Sequence, residues 1–244
     1  MPTTLVALNN VTKQYATHTA VDGLSLTVAG GEIYALLGPN GAGKTTTINM
    51  LLGFIAPDRG TLQIAGRNVA DNPAAARANI AYIPEQVQLY PQLSGIENLD
   101  YFSRLAGHRL SAADLSGMLT RVGLSAEAAT RRAGSYSKGM RQKVGIAIAL
   151  AKRAKVLLLD EPTSGLDPSA SAEFVALLKE VALEGVAVLM ATHDLFYAHQ
   201  AATHWGVLAA GKLLVQQPAA PDFSLEKLEA LYLSLIAPGK RAAA

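Results

Sequence analysis

One octet near residue 40 constrains this chain most, because it matches G-x-x-x-x-G-K-[ST], the pattern of a phosphate-binding loop. Its glycines allow successive backbone N–H groups to face a phosphate, and its lysine and threonine add a positive charge and a metal ligand. An apolar strand pattern precedes the octet and a helical pattern follows it, which disfavours a chance Gly-rich turn. We therefore predict a site for a phosphorylated nucleotide. Its residues are Gly38, Pro39, Asn40, Gly41, Ala42, Gly43, Lys44, Thr45 and Thr46.

Short apolar segments alternate with helical ones along the rest of the chain. Strand patterns occur at residues 5–11, 24–28, 32–37, 64–67, 80–83, 156–159 and 186–190. Helical patterns occur at residues 73–78, within 94–130, at 144–154, after Asp167-Pro168, and after Ser224 as a possible N-cap. The alternation predicts a parallel sheet covered on both faces. The last helix is expected to pack on the domain's own surface, beyond a linker at 217–221.

Charge and composition exclude several classes of protein. The chain has 244 residues with 21 basic and 19 acidic ones, a balance that disfavours a nucleic-acid partner. It has no cysteine, which excludes disulfides, thiol catalysis and cysteine zinc sites. We see neither a signal peptide nor a run of roughly 18 apolar residues. We therefore expect a soluble chain that contacts a membrane only through a partner.

Two carboxylates follow the buried strand pattern at residues 156–159. Asp160 would lie at the carboxyl edge of the sheet and hold Mg2+ opposite Thr45. Glu161 leaves the strand and could act as the general base for a water that attacks the terminal phosphate. Alone, this pair also fits two solvated acids at a strand end; downstream of a phosphate loop it indicates hydrolysis.

Three further features fit a nucleotide site only in combination. Ser137 and Gly139 resemble a helix N-cap region that could bind another phosphate, although a plain capped helix fits them equally. His193 follows a buried strand and could contact a γ-phosphate, or be an ordinary strand-end residue. Tyr15 lies in a predicted polar turn and could stack on adenine, or be an exposed turn tyrosine.

The order of these motifs resembles the nucleotide-binding subunit of an ATP-binding cassette (ABC) transporter. The resemblance runs from Tyr15 to about residue 211. Its correspondences are Tyr15 to the adenine-stacking aromatic, residues 38–45 to Walker A, 82–85 to the Q-loop, 136–140 to the signature, 156–161 to Walker B, 164–167 to the D-loop and His193 to the switch histidine.

The resemblance implies an α/β fold: a P-loop NTPase core with a mostly parallel sheet, an antiparallel β subdomain and an inserted helical subdomain. Residues 1–217 would form the ATPase domain, with the insert at about 88–152, and residues 218–244 a linker, helix and tail. ATP and Mg2+ would be bound, with Glu85 as a third metal contact beside Thr45 and Asp160. Glu161 and His193 would be catalytic.

The same resemblance implies two partners. A second copy would form a dimer in which Ser137 and Gly139 serve the facing subunit's nucleotide. A transmembrane permease would hold the cassette at the cytoplasmic face of the cell membrane, and no nucleic acid is expected.

The chain departs from the family pattern in the Q-loop and the signature. Glu85 stands where Gln is usual, with Gln86 next to it, and which of the two performs the Q-loop role stays open. Lys138 replaces a Gly and Met140 replaces a Gln, changes that resemble single-domain, exporter-type (ABC-2-like) cassettes. Glu161 is retained, so a working hydrolase is expected.

Three alternatives remain beside a transport ATPase. A cassette in DNA repair or translation would usually carry a coiled-coil insert or a second cassette, and neither occurs here. A nucleotide sensor without turnover disagrees with Glu161 and His193, and a small-molecule kinase does not explain the signature. The sequence indicates neither the cargo nor the direction of transport with certainty.

Overall fold

The computed structural model describes residues 3–220 and 222–237 of the chain. Its centre is a six-stranded sheet, parallel except for one antiparallel edge strand. Three of the predicted strands are buried at every position because helices cover both faces. In order across the sheet the strands are β10 (Lys212–Pro218), β9 (His204–Ala209), β3 (Ile33–Leu37), β8 (Ala187–Thr192), β7 (Val156–Asp160) and β6 (Ile80–Ile83).

A second sheet contains four antiparallel strands. The single strand expected at residues 64–67 is wrong, because Ala65 and Gly66 both adopt positive φ, 50° and 76°, and form a hairpin turn. The predicted polar turn at Tyr15 comprises only the two residues that follow it, so Tyr15 ends a strand. In order the strands are β2 (His18–Ala29), β1 (Thr4–Tyr15), β4 (Arg59–Ile64) and β5 (Arg67–Asn68).

Capping residues set where the helices begin. The helix predicted at residues 144–154 begins earlier, because the hydroxyl of Ser137 accepts a hydrogen bond from the amide of Met140. The predicted N-cap Asp167 is confirmed, since its carboxylate accepts from the amide of Ala170. The helices are α1 (Lys44–Leu51), α2 (Pro73–Ala78), α3 (Gly95–Leu105), α4 (Ala112–Arg121), α5 (Ala126–Thr130), α6 (Lys138–Ala151), α7 (Pro168–Leu183), α8 (Leu195–Ala201) and α9 (Leu225–Ile236).

The C-terminal helix α9 packs on the domain itself, as predicted. Ser224 caps the helix, and Leu228 is fully buried against the core formed by the main sheet and its helices. The expected linker at 217–221 is wrong in its first part, since Gln217 and Pro218 pair with β9. Pro221 of that linker, the first two residues and the tail at 238–244 lie outside the described residues.

Helices α3, α4 and α5 lie between β6 and α6, within the segment at about 88–152 that is predicted to be an insert. Their buried leucines belong to the same core as α6 and α7. Across residues 3–220 and 222–237, every helix is too short or too polar to cross a lipid bilayer.

Candidate active site

A cleft of about 400 Å³ opens where strands β3 and β7 end. It brings together most residues of the predicted nucleotide site. Gly38 adjoins the cleft as the first residue of the loop, whereas Ser137, Gly139 and His193 do not line it. The lining comprises Tyr15, His18, Ala20, Pro39, Asn40, Gly41, Ala42, Gly43, Lys44, Thr45, Thr46, Glu85, Asp160 and Glu161.

The phosphate loop needs glycine at its last turn. Gly43 has a φ of +109°, and a Cβ there would overlap the carbonyl oxygen of Ala20. This turn leads directly into α1, so the free N–H groups of that helix face the cleft. Lys44 is 5% exposed and its ammonium donates to the carbonyls of Gly38 (2.6 Å) and Pro39 (3.2 Å). The loop thus holds its own cation before any anion binds.

Thr45 and Asp160 form an oxygen pair on the floor of the cleft. The hydroxyl Oγ1 of Thr45 donates to Oδ2 of Asp160 at 3.0 Å. Burial raises the pKa of Asp160, and the nearby charges of Glu161 and Glu85 raise it further, against the lowering effect of Thr45 and Lys44. The described residues contain no group of three or more His, Cys, Asp or Glu side chains that could hold a metal. The hydroxyl of Thr45 and the carboxylate of Asp160 are oxygen donors that fit Mg2+, which takes few protein oxygens and completes its shell with phosphates and water.

Glu161 has a backbone and a side chain held in one arrangement. Its φ of +47° is unusual for a residue other than Gly, Asn or Asp, and it turns the chain sharply out of β7. Its Oε2 accepts from the hydroxyl of Thr192 (3.0 Å) and from the amide of His193 (3.3 Å), and Nδ1 of His193 lies 2.9 Å from it. Its Oε1 is buried and accepts no hydrogen bond from a described residue, with Nζ of Lys44 at 3.3 Å.

The surroundings of Glu161 favour its ionised form. Burial raises the pKa of Glu161, but the hydrogen bond from His193, the charge of Lys44 and the hydroxyl of Thr192 outweigh burial and lower it. Glu161 and its neighbour Asp160 therefore shift in opposite directions. Such a split between adjacent carboxylates is common at catalytic sites.

His193 reaches the site through Glu161 and not through the cleft wall. It follows β8, which lies next to β7 in the sheet, and its side chain is 55% exposed. Thr192, which also contacts Glu161, is fully buried and was missed by the sequence reasoning. Its position directly before the predicted switch histidine could have indicated that Thr192 belongs to the site.

Glu85 and Gln86 are both exposed, but only Glu85 lines the cleft. Oε1 of Glu85 accepts from the hydroxyl of Ser164 at 3.0 Å and lies 3.5 Å from Nζ of Lys138. The side-chain amide of Gln142 donates to the backbone carbonyl of Glu85 at 3.2 Å. Helix α6 therefore holds this loop through its backbone and its side chain.

The remaining predicted residues flank the cleft or lie apart from it. Tyr15 is 45% exposed at the mouth of the cleft, a position that suits an aromatic platform. His18 and Ala20 line the same side and were missed, because only the hairpin of β1 and β2 brings them there. Ser137 and Gly139 start α6 outside this cleft, with Ser137 exposed.

Comparisons with known proteins agree with this arrangement. A family model described as ABC transporter matches residues 21–164, which include the phosphate loop and both strand-end carboxylates. The bacitracin transport ATP-binding protein BcrA of Bacillus licheniformis is 39% identical over 88% of this chain and 70% of that protein. The Nod factor export ATP-binding protein I of Paraburkholderia xenovorans is 37% identical over 88% of this chain and 71% of that protein.

A solved structure extends the similarity to the arrangement in space. It is the dimeric structure of an ATP-binding cassette in a post-hydrolysis state, bound to ADP and Pi. The TM-score is 0.78 at 26% identity, covering 88% of this chain and 99% of that chain.

Proposed function

The chain belongs to the ABC transporter family as an ATP-binding, ATP-hydrolysing subunit that energises a transporter, and from this premise we propose how its cleft works. We propose that Glu161 is the general base of MgATP hydrolysis and that hydrolysis reopens a cassette dimer on an exporter-type permease. One observation carries the proposal. Glu161 has a lowered pKa, is fixed through Oε2, and has a buried Oε1 that lies 3.3 Å from Nζ of Lys44 but accepts no hydrogen bond from a described residue.

The proposed binding of ATP begins with the loop at residues 38–46. Its N–H groups and the N-terminus of α1 receive the phosphates, and Lys44 exchanges its carbonyl partners for phosphate oxygens. Tyr15 stacks on the base at the mouth of the cleft. Thr45 and Asp160 would hold Mg2+, with Glu85 at the edge of the same cleft. When bound, Mg2+ neutralises charge that develops on the phosphates.

In the proposed hydrolysis step, Oε1 of Glu161 accepts a proton from the attacking water, whose oxygen bonds to the γ-phosphorus while the bond from that phosphorus to the oxygen leaving with ADP breaks. Thr192 and His193 fix the other oxygen, so the carboxylate cannot rotate away from the cleft. The side chain of His193 is partly exposed and is proposed to contact the terminal phosphate. Because its Nδ1 also contacts Oε2 of Glu161, the loss of that phosphate would then affect the position of Glu161.

A second copy of the chain completes the proposed site. Ser137 caps α6 and Gly139 lies in its first turn, both outside the chain's own cleft, a placement that would let them serve the nucleotide of a facing subunit. The similarity to a dimeric cassette supports this arrangement. ATP would drive closure because only the closed dimer places both sets of residues on one nucleotide.

A second cavity supports contact with a permease. An apolar groove of about 730 Å³ lies between β6 and α3, and exposed Phe54 and Leu105 contribute to its wall. The loop at residues 84–89 lines both cavities, with Glu85 in the nucleotide cleft and Val87 and Leu89 in the groove. We assign the groove to the membrane partner. Residues 88–152 would then be the partner-binding insert of an ATPase domain at 1–217, with 218–244 as an appended segment.

Glu161→Gln tests the proposal for hydrolysis. The amide keeps the size of the side chain but cannot accept the proton, so phosphate release should fall roughly 10²- to 10⁴-fold. Affinity for a fluorescent ATP analogue should stay within about threefold, because the phosphate loop is unchanged. Glu173→Gln, on the exposed face of α7, is the matched control and should release phosphate at the wild-type rate. Wild-type turnover by Glu161→Gln would refute the base assignment.

A further inference from the structure

Two residues that depart from the family pattern contact each other. Glu85 stands where Gln is usual, and Lys138 stands where Gly is usual. Nζ of Lys138 lies 3.5 Å from Oε1 of Glu85, with the side chains 26% and 49% exposed. A Gln–Gly pair at these positions could form no ion pair. The positive charge of Lys138 therefore pairs with the negative charge of Glu85.

The pair also joins three segments: the Glu85 loop, which lines the cleft, the loop after β7 and the start of α6. Oε1 of Glu85 accepts from Ser164 in the loop after β7 at 3.0 Å. A Cβ built on Gly165 in that loop would lie 3.7 Å from Nζ of Lys138. The backbone of the Glu85 loop is fixed separately by Gln142 of α6. The side chain of Glu85 is thus the part of this loop that Lys138 controls.

A carboxylate at position 85 that neither Lys138 nor a bound metal neutralises would oppose nucleotide binding. Glu85 lines the phosphate cleft, and its charge reaches Asp160 on the floor of that cleft. A triphosphate brings several negative charges into the same space, and like charges repel there more strongly than in bulk water. A neutral Gln at this position would carry no such cost. The ammonium of Lys138 beside Glu85 removes most of this electrostatic cost.

We propose that Lys138 is a positioning residue for nucleotide binding. Its ammonium neutralises Glu85 and holds the carboxylate at the edge of the cleft, so that the two residues act as one unit. The inference rests on the proposed function of the cleft and extends it to a residue outside the cleft wall. It assigns Lys138 a role in its own chain's nucleotide site, in addition to any contact across a dimer.

A double-mutant cycle tests this coupling. The variants are Lys138→Met, Glu85→Gln and the double variant, assayed for kcat and KM of ATP hydrolysis and for Kd of a fluorescent ATP analogue with Mg2+. We expect Lys138→Met to raise KM and Kd roughly 3- to 10-fold, because it leaves a carboxylate unpaired beside the phosphates. The double variant should lose clearly less than the product of the two single effects, since Lys138→Met removes nothing further once the charge of Glu85 is absent.

Two comparisons separate this role from a general effect on α6. Lys143→Met removes another lysine of α6 that is paired with a carboxylate at 2.7 Å, but this carboxylate, Glu173, lies outside the cleft, whereas Glu85 lines it. Lys143→Met should leave KM unchanged. Lys138→Arg keeps the charge and should restore KM. Raising the ionic strength should shrink the difference between wild type and Lys138→Met, because the pair is partly exposed.

Thermal unfolding of each variant checks that it is folded, and Lys138→Gln replaces Lys138→Met should the latter unfold. The inference is overturned if the double variant shows the product of the two single effects, or if Lys138→Met behaves like Lys143→Met. Either result would leave hydrolysis by Glu161 intact. Absence of ATP turnover in the wild-type protein would refute the proposed function, and the Kd measurements would still decide the coupling.

Discussion

Gly43→Ala should separate the shape of the phosphate loop from its charge. At Gly43 the backbone has a φ of +109°, outside the left-handed region that residues with a Cβ can adopt. The new methyl group would also overlap the carbonyl oxygen of Ala20, which belongs to the backbone of β2 and cannot rotate away. Two independent costs therefore fall on one added carbon.

Their sum follows from the geometry. Backbone strain of this kind costs about 1–3 kcal/mol, and an overlap in a packed region costs about 1–3 kcal/mol more. If the loop reshapes to avoid these costs, the N–H groups no longer converge on a phosphate. A loss of about 2–6 kcal/mol corresponds to a drop in ATP affinity of roughly 30-fold or more, since 1.4 kcal/mol is a factor of ten.

The loop contains its own control. Gly41 has a φ of +77°, but a Cβ there would meet no atom within 4 Å. Gly41→Ala should therefore show only the strain, about 1–2 kcal/mol. Binding of a fluorescent ATP analogue and thermal unfolding measure both variants. Equal effects of Gly41→Ala and Gly43→Ala, or a neutral Gly43→Ala, would refute the steric argument.

Two further predictions concern the base and the groove. Thr192→Val removes a hydrogen bond that lowers the pKa of Glu161, so that pKa should rise and the acidic limb of kcat/KM against pH should move to higher pH. An unmoved limb would mean that Thr192 does not tune the base. Leu105→Asp places a charge in the apolar groove and should reduce copurification with the permease at least tenfold, whereas Leu183→Asp, on the far end of α7, should not. Equal recovery of both variants would contradict the groove assignment.

Local chemistry made much of the site predictable. The phosphate loop is contiguous, and its glycines, Lys44 and Thr45 act through backbone geometry that neighbouring residues determine. Asp160 and Glu161 were predictable because a buried strand must end at the edge of the sheet. The cap at Asp167 followed from its own side chain. These predictions needed no knowledge of long-range contacts.

The rest depended on contacts that no local pattern carries. Strand β9 and the edge strand β10 next to it were missed; β10 alternates only exposed and half-buried residues and ends in a proline that suggested a linker. Thr192 contacts Glu161 only because β7 and β8 are neighbours. The ion pair of Glu85 with Lys138 forms because the fold brings the start of α6 next to the loop after β6. No local pattern indicates that these two residues meet.

The most direct test of the account is the mass of Glu161→Gln in solution, measured by light scattering with saturating MgATP and with MgADP. The account predicts a dimer with MgATP, since binding is intact while hydrolysis is blocked, and a monomer with MgADP. A monomer under both conditions, with ATP bound, would contradict the claim that two copies share the nucleotide.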